Sequence, residues 1–299
     1  MTLIAILLVL AIERFVGAVD HLRYFGWYET WWRWLQQRLA GQAFWQGPAG
    51  VIMVLLPPLL LLGLASVLLN HYAPGLDFVL ACAVLLYSLG PADLGHQVSR
   101  YTEALQAGDE AAADAARRAF HNPRWDDQGQ LGSTICSLIG QTNSRLFAVL
   151  FWFAVLGPVG ALLYRLAAEV HRQVADGYGG FADAVRDLYN LLNWPTTRLS
   201  ALGFALAGHL VDATAGWRRA EAKSLSVNET VLIESGLGAL QFRQQYADES
   251  AAAETGSAPA TPQTDDIIEW VETTRGLENR TLIVWLSVLA IMTIAGVMS

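Results

Sequence analysis

Charge is what this sequence has least of. Asp, Glu, Lys and Arg make up 15% of its 299 residues, where soluble domains carry roughly 25%. The basic residues form no stripe, which removes a nucleic-acid partner from consideration. Cysteine is nearly absent. Cys82 lies in an apolar run and Cys136 in a polar region, without metal-ligand spacing or a disulfide framework, and both read as structural thiols. No GxxxxGK[ST], GxGxxG after a strand, HExxH or CxxC is found. The six histidines (His21, His71, His96, His121, His171, His209) never fall four apart and read as surface or interface residues. No metal, cofactor or catalytic residue is therefore expected. No repeat of 20–50 residues is visible either.

What the chain has is apolar length. Hydrophobic residues reach 54%. Leu146–Val170 is a membrane-length run interrupted at Gly157-Pro158. Further spans are expected at Thr2–Val16, Val51–Leu69 (kinked at Pro57-Pro58), Phe78–Leu89 and Leu282–Val297, with the second and third as a helical hairpin. The apolar start lacks a basic leader region, and Glu13-Arg14 sits just before Val16-Gly17-Ala18, which resembles a cleavage site, so a retained anchor is expected. Trp27, Trp31, Trp32, Trp34, Trp45 and Trp285 sit beside apolar runs, as interfacial indoles do. The fold class is thus an all-α polytopic membrane protein with four spans, a further segment that either crosses or re-enters at Gly157-Pro158, and amphipathic cytoplasmic helices.

Arginine placement orients it. Arg23, Arg33 and Arg38 put the first loop in the cytoplasm, and the 70–77 connection, without Lys or Arg, goes outside. Residues 92–145 follow as cytoplasmic amphipathic helix, with acids ahead of Arg117-Arg118, and Arg165–Lys223 is also placed on that side. The net charge of -8 is concentrated late: Asp248 to Glu278 hold eight carboxylates and one arginine. Three regions are expected: a membrane domain over 1–245, a flexible acidic linker over 246–266, and a terminal helix and anchor over 267–299.

Few residues invite chemistry. Glu13-Arg14 reads either as an intramembrane ion pair marking a pocket or as an interfacial pair whose long side chains reach the headgroups. Asp126-Asp127 resembles a cation-binding pair, and a turn after Pro123 explains it equally well. Trp194-Pro195-Thr196-Thr197-Arg198-Leu199 is expected to open a helix, leading into the small-residue face Ser200, Gly203, Ala207. Ser226 and Glu229 have capping-box spacing, and the helix start at Asn228-Glu229 would suit an anion.

The order FW…GPVGALLYR, LLNWPTTRLSALGFALAGHL, the Trp217-Arg218 helix and SVNETVLIESGLGAL resembles the membrane proteins that include the adenosylcobinamide-phosphate synthases (CbiB/CobD) of cobalamin assembly. Within that group MTLIAILLVLAIERF, QTNSRLFAVLFWFAVLGPVGALLYRL and the terminal anchor more closely resemble AmpE, the inner-membrane protein linked to β-lactamase induction. The synthases use ATP. Where their pattern has a Glu-Asn pair followed by an Asp, this chain has Gln141-Thr142-Asn143-Ser144, and their Leu-Asp-Ser-Met run meets Val170-His171-Arg172-Gln173. No carboxylate lies between Asp127 and Glu169, which speaks against magnesium-ATP chemistry. The resemblance therefore implies a regulatory or sensory inner-membrane protein, with a membrane-bound ligase or synthase as the alternative. It further implies a bilayer environment, a cytoplasmic peptidoglycan-recycling amidase as partner, and a small anionic or polar ligand in a pocket of Arg145, Arg198, Asn228 and Glu229.

Overall fold

Apolar runs without strand alternation close their backbone hydrogen bonds within themselves, which is what a bilayer demands. The computed structural model describes residues 2–16, 25–39, 41–89, 94–174, 177, 179–223, 228–243 and 264–295. Among them there is no strand. The helices are α1 (Thr2–Val16), α2 (Gly26–Leu39), α3 (Pro48–Tyr72), α4 (Pro74–Ser88), α5 (Leu94–Gln106), α6 (Glu110–Arg118), α7 (Gly129–Thr142), α8 (Ala148–Val174), α9 (Gly180–Ala207), α10 (Leu210–Lys223), α11 (Asn228–Ala239) and α12 (Thr264–Ile294). A 3-10 turn precedes α7 at Pro123–Gln128, and a π-turn at Asn143–Phe147 joins α7 to α8.

Among the described residues three stretches are long and apolar enough to cross a membrane: α3, residues 123–174, and α12. Leu60, Leu61, Leu64 and Val67 on α3 are all exposed. Such a continuous apolar face suits lipid and would be an aggregation hazard in water. The other two expected spans, α1 and α4, have 15 residues each, short of the roughly 20 needed to cross. The fold is that of a multi-pass helical membrane protein. The chain forms two compact units, one of residues 1–91, 144–195 and 289–299, the other of residues 92–143 and 196–288.

In the first unit α3 and α4 pair across Ala73, as a hairpin should. Trp45 stacks on Phe181 with ring centres 5.1 Å apart, and Trp32 and Val54 join the same core. Trp32, Trp45 and Trp285 are buried while Trp27 and Trp34 are exposed, so these tryptophans are divided between packing and surface. The apolar run breaks where expected. Gly157 takes φ 65° and ψ -153°, open in practice only to glycine. Beyond it the chain folds back, because a β-carbon on Gly160 would collide with the Trp152 carbonyl oxygen and lie 2.6 Å from Leu156 Cβ. In a continuous helix residues eight apart stand about 12 Å away from each other. Residues 148–156 and 158–174 are thus two legs of a sharp turn, and Val155 and Leu156 at its tip are half exposed.

Pro195 does not start a helix. α9 runs through it from Gly180, and the Trp152 indole donates to the Leu192 carbonyl (3.1 Å) in the turn before the proline.

In the second unit, the stretch expected as one amphipathic helix is two. Gly108 (φ +70°) ends α5, and the Asp109 side chain accepts from Ala112 N (2.9 Å) to cap α6. Cys136, placed by sequence in a polar region, is buried in α7. α10 and α11 pack backbone to backbone: a β-carbon at Gly216 would lie 2.7 Å from the Glu234 carbonyl carbon, and one at Gly238 2.6 Å from that of Asp212. The two contacts run in opposite chain directions, so the helices are antiparallel. The small face of α9 is used as expected: Gly203 lies against Thr281 and Trp285 of α12, and Ser200 Oγ donates to Asn143 Oδ1 (2.8 Å).

Candidate functional site

α11 is buried along most of its length, with Asn228 and Glu229 opening it and Glu234 farther along it paired to Arg243 (2.7 Å). The packing of α11 on α10 sets where Asn228 and Glu229 stand. Arg198 Nη1 donates to Asn228 Oδ1 at 2.9 Å. Glu229 Oε1 accepts from Asn122 Nδ2 at 3.1 Å, and its Oε2 is 3.7 Å from Arg124 Nε. Asn122 is held by Ser137 Oγ, to which its backbone N–H donates (3.0 Å). Burial pushes the Glu229 carboxyl above the usual carboxylate range, and the Arg124 charge opposes this. A third of the Glu229 side chain meets solvent, which limits the rise. Burial lowers Arg198 from its ordinary value and Glu221 counters it.

Three of the four expected pocket residues therefore belong to the second unit, as an Arg198–Asn228 pair beside Glu229. The fourth, Arg145, lies in the π-turn and belongs to the first unit. Ser226 and its cap fall outside the described residues. So does the Arg14 side chain, which takes the Glu13-Arg14 pair with it; Glu13 itself is half-buried in α1. Asp126 engages His121 Nε2 at 2.9 Å within the expected turn. Among the described residues no three His, Cys, Asp or Glu side chains converge.

A second charged cluster was missed by sequence reasoning. Arg165, Glu169, Arg172 and Gln173 share one face of α8. The buried Glu169 carboxylate lies 3.9 Å from Arg165 Nη2 and accepts from Arg172 Nε (3.4 Å) and Gln173 Nε2 (2.9 Å). The Arg165 guanidinium sits over the Phe25 ring at 5.0 Å. The i, i+4, i+7, i+8 spacing was its readable signal; the apolar background hid it.

Buried polar clusters within a helical, lipid-suited framework define a multi-pass helical membrane protein. More particularly, the chain belongs to the CobD/Cbib protein family, whose model matches residues 6–274. It is 30% identical over 204 residues to the cobalamin biosynthesis protein CobD of Chromobacterium violaceum, covering 64% of this chain and 62% of that one. The protein of the same name from Stutzerimonas stutzeri is 30% identical over 198 residues, covering 63% and 62%. The chain thus spans less than two thirds of the length of these relatives. No solved structure matches it. Family membership therefore falls on the wider of the two resemblances drawn from sequence.

Proposed function

We propose that this CobD/Cbib-family protein is a regulatory or sensory component of the AmpE type in the bacterial inner membrane, responding to cell-wall damage and β-lactam exposure. A small polar or anionic ligand is read at the start of α11. The observation that carries this reading is how two of the carboxylates are used. Glu229 is taken up by Asn122 and Arg124, and Glu169 by Arg165, Arg172 and Gln173. Carboxylates so engaged are poorly placed to hold magnesium against ATP phosphates, which ATP-dependent ligation requires. The cytoplasmic amidase partner rests on the AmpE resemblance alone. The test is the β-lactam inhibitory concentration and β-lactamase expression of a deletion strain. Both should change, and wild-type protein should restore them where Arg198→Ala does not; no change on deletion ends this reading.

The second reading is a membrane-bound ligase or synthase of the adenosylcobinamide-phosphate type. The comparisons favour it, since both relatives are named for cobalamin biosynthesis and the family model covers most of the chain. Cobalamin-dependent growth of a synthase-deficient strain carrying this gene would establish it in place of the first.

A further inference from the structure

Two threonine hydroxyls forgo the bond that helical threonines usually make. Along α12, Thr273, Thr274 and Thr293 each donate to the carbonyl four residues back (2.8 Å), as Thr134 does in α7. Thr281 of α12 and Thr142 at the end of α7 do not: both are buried, and neither hydroxyl has a hydrogen-bond partner. Glu278 lies one turn before Thr281 on the same face, and its Oε1 is likewise buried without a partner.

Three contacts bring these oxygens to one junction within the second unit. Ser200 Oγ ties α9 to Asn143, the residue after Thr142. Gly203, one turn farther along α9, lies against Thr281, whose Cγ2 would be 2.7 Å from an added β-carbon. The Thr142 hydroxyl in turn acts on the Glu278 carboxyl, yet no hydrogen bond closes between them. The junction stands where α7 passes into the π-turn, a winding frequent at functional sites.

Among the described residues Glu278 forms no ion pair. Arg275 is the charge that acts on it, and that guanidinium reaches instead to Ser99 Oγ (3.4 Å). Arg280, the other cation nearby on α12, is exposed and turned back to the Gly276 carbonyl (3.2 Å). A carboxylate oxygen and two hydroxyls are costly to bury unpaired, and a cation set among them would satisfy all three.

We propose that Glu278, Thr142 and Thr281 form a binding site for a monovalent metal ion, sodium or potassium. Their oxygens are hard ligands, and one carboxylate balances one positive charge, whereas calcium sites gather more carboxylates and magnesium keeps most of its water. Membrane proteins hold such ions where helices end or change their winding. Glu278 as a whole is half-buried, which leaves the ion a way in. The site uses other residues than the Arg198–Asn228 pair and rests on neither functional reading above.

The test is thermal melting of the purified full chain in detergent, in sodium, potassium, magnesium or choline chloride at matched ionic strength, followed by calorimetric titration with the ion that stabilises. Sodium or potassium should raise the melting temperature saturably above choline, and the larger rise names the ion. Glu278→Gln should lose that rise while melting no lower than the wild type in choline, which separates a lost ligand from a damaged fold. Thr142→Val should weaken binding several-fold. Equal melting of the wild type in all four salts, a response to magnesium alone, or an undiminished response in Glu278→Gln would overturn the proposal.

Discussion

Gly238→Ala tests the packing that positions the start of α11. The added methyl would sit 2.6 Å from the Asp212 carbonyl carbon and 2.9 Å from Ala213 Cα. Carbon atoms rest at about 3.5–4.0 Å, so α10 and α11 must part by about 1 Å. Both neighbours are backbone and cannot swing aside. Overpacking of this kind costs about 1–3 kcal/mol, partly offset by up to about 1 kcal/mol of better helix propensity for alanine. Gly276→Ala supplies the control, since it lies within α12 with nothing inside 4 Å of its new methyl. The propensity gain is common to both variants and cancels, so their difference should equal the overpacking cost, about 1–3 kcal/mol. At roughly 2–4 °C per kcal/mol, melting of the detergent-solubilised protein followed by intrinsic fluorescence resolves this. Equal melting temperatures for the two variants would refute the close approach of α10 and α11, and with it the account of how Asn228 is placed.

Gly157→Ala forces a side chain into a glycine-only conformation and should cost about 1–3 kcal/mol, seen as lower yield and melting temperature; an unaffected variant would mean that the run does not turn there. A double-mutant cycle of Arg198→Ala with Asn228→Ala should give a coupling of about 1–3 kcal/mol, because a charge-assisted hydrogen bond joins them; additive losses would contradict that bond. The raised Glu229 carboxyl binds protons more tightly folded than unfolded, so stability should fall as pH rises from the ordinary carboxylate value to the folded one. Glu229→Gln should flatten that part of a melting-temperature profile, and an unchanged slope would assign it to another group.

The helical class, the lipid-suited length of α3 and the break at Gly157-Pro158 could all be read from the residues in order, because apolar length, proline and glycine act locally. The small face of α9 was legible for the same reason: Ser200, Gly203 and Ala207 repeat at helical spacing whatever they meet. Local signals also misled. Pro195 reads as a helix start until α9 is seen to run through it from Gly180. The acids and arginines of residues 103–120 read as one helix until Gly108 turns left-handed. Charge partners were beyond local reach. Glu169 entered the sequence argument only as the end of a carboxylate-free stretch, yet it is the hub of three side chains. Arg145 and Arg198 were placed in one pocket from sequence, while the fold assigns them to different units. Periodicity and composition decide what a segment can be, since they depend on neighbours along the chain. Which groups meet depends on where the backbone turns, and in this protein a single glycine conformation after Leu156 brings Gly160 back against Trp152.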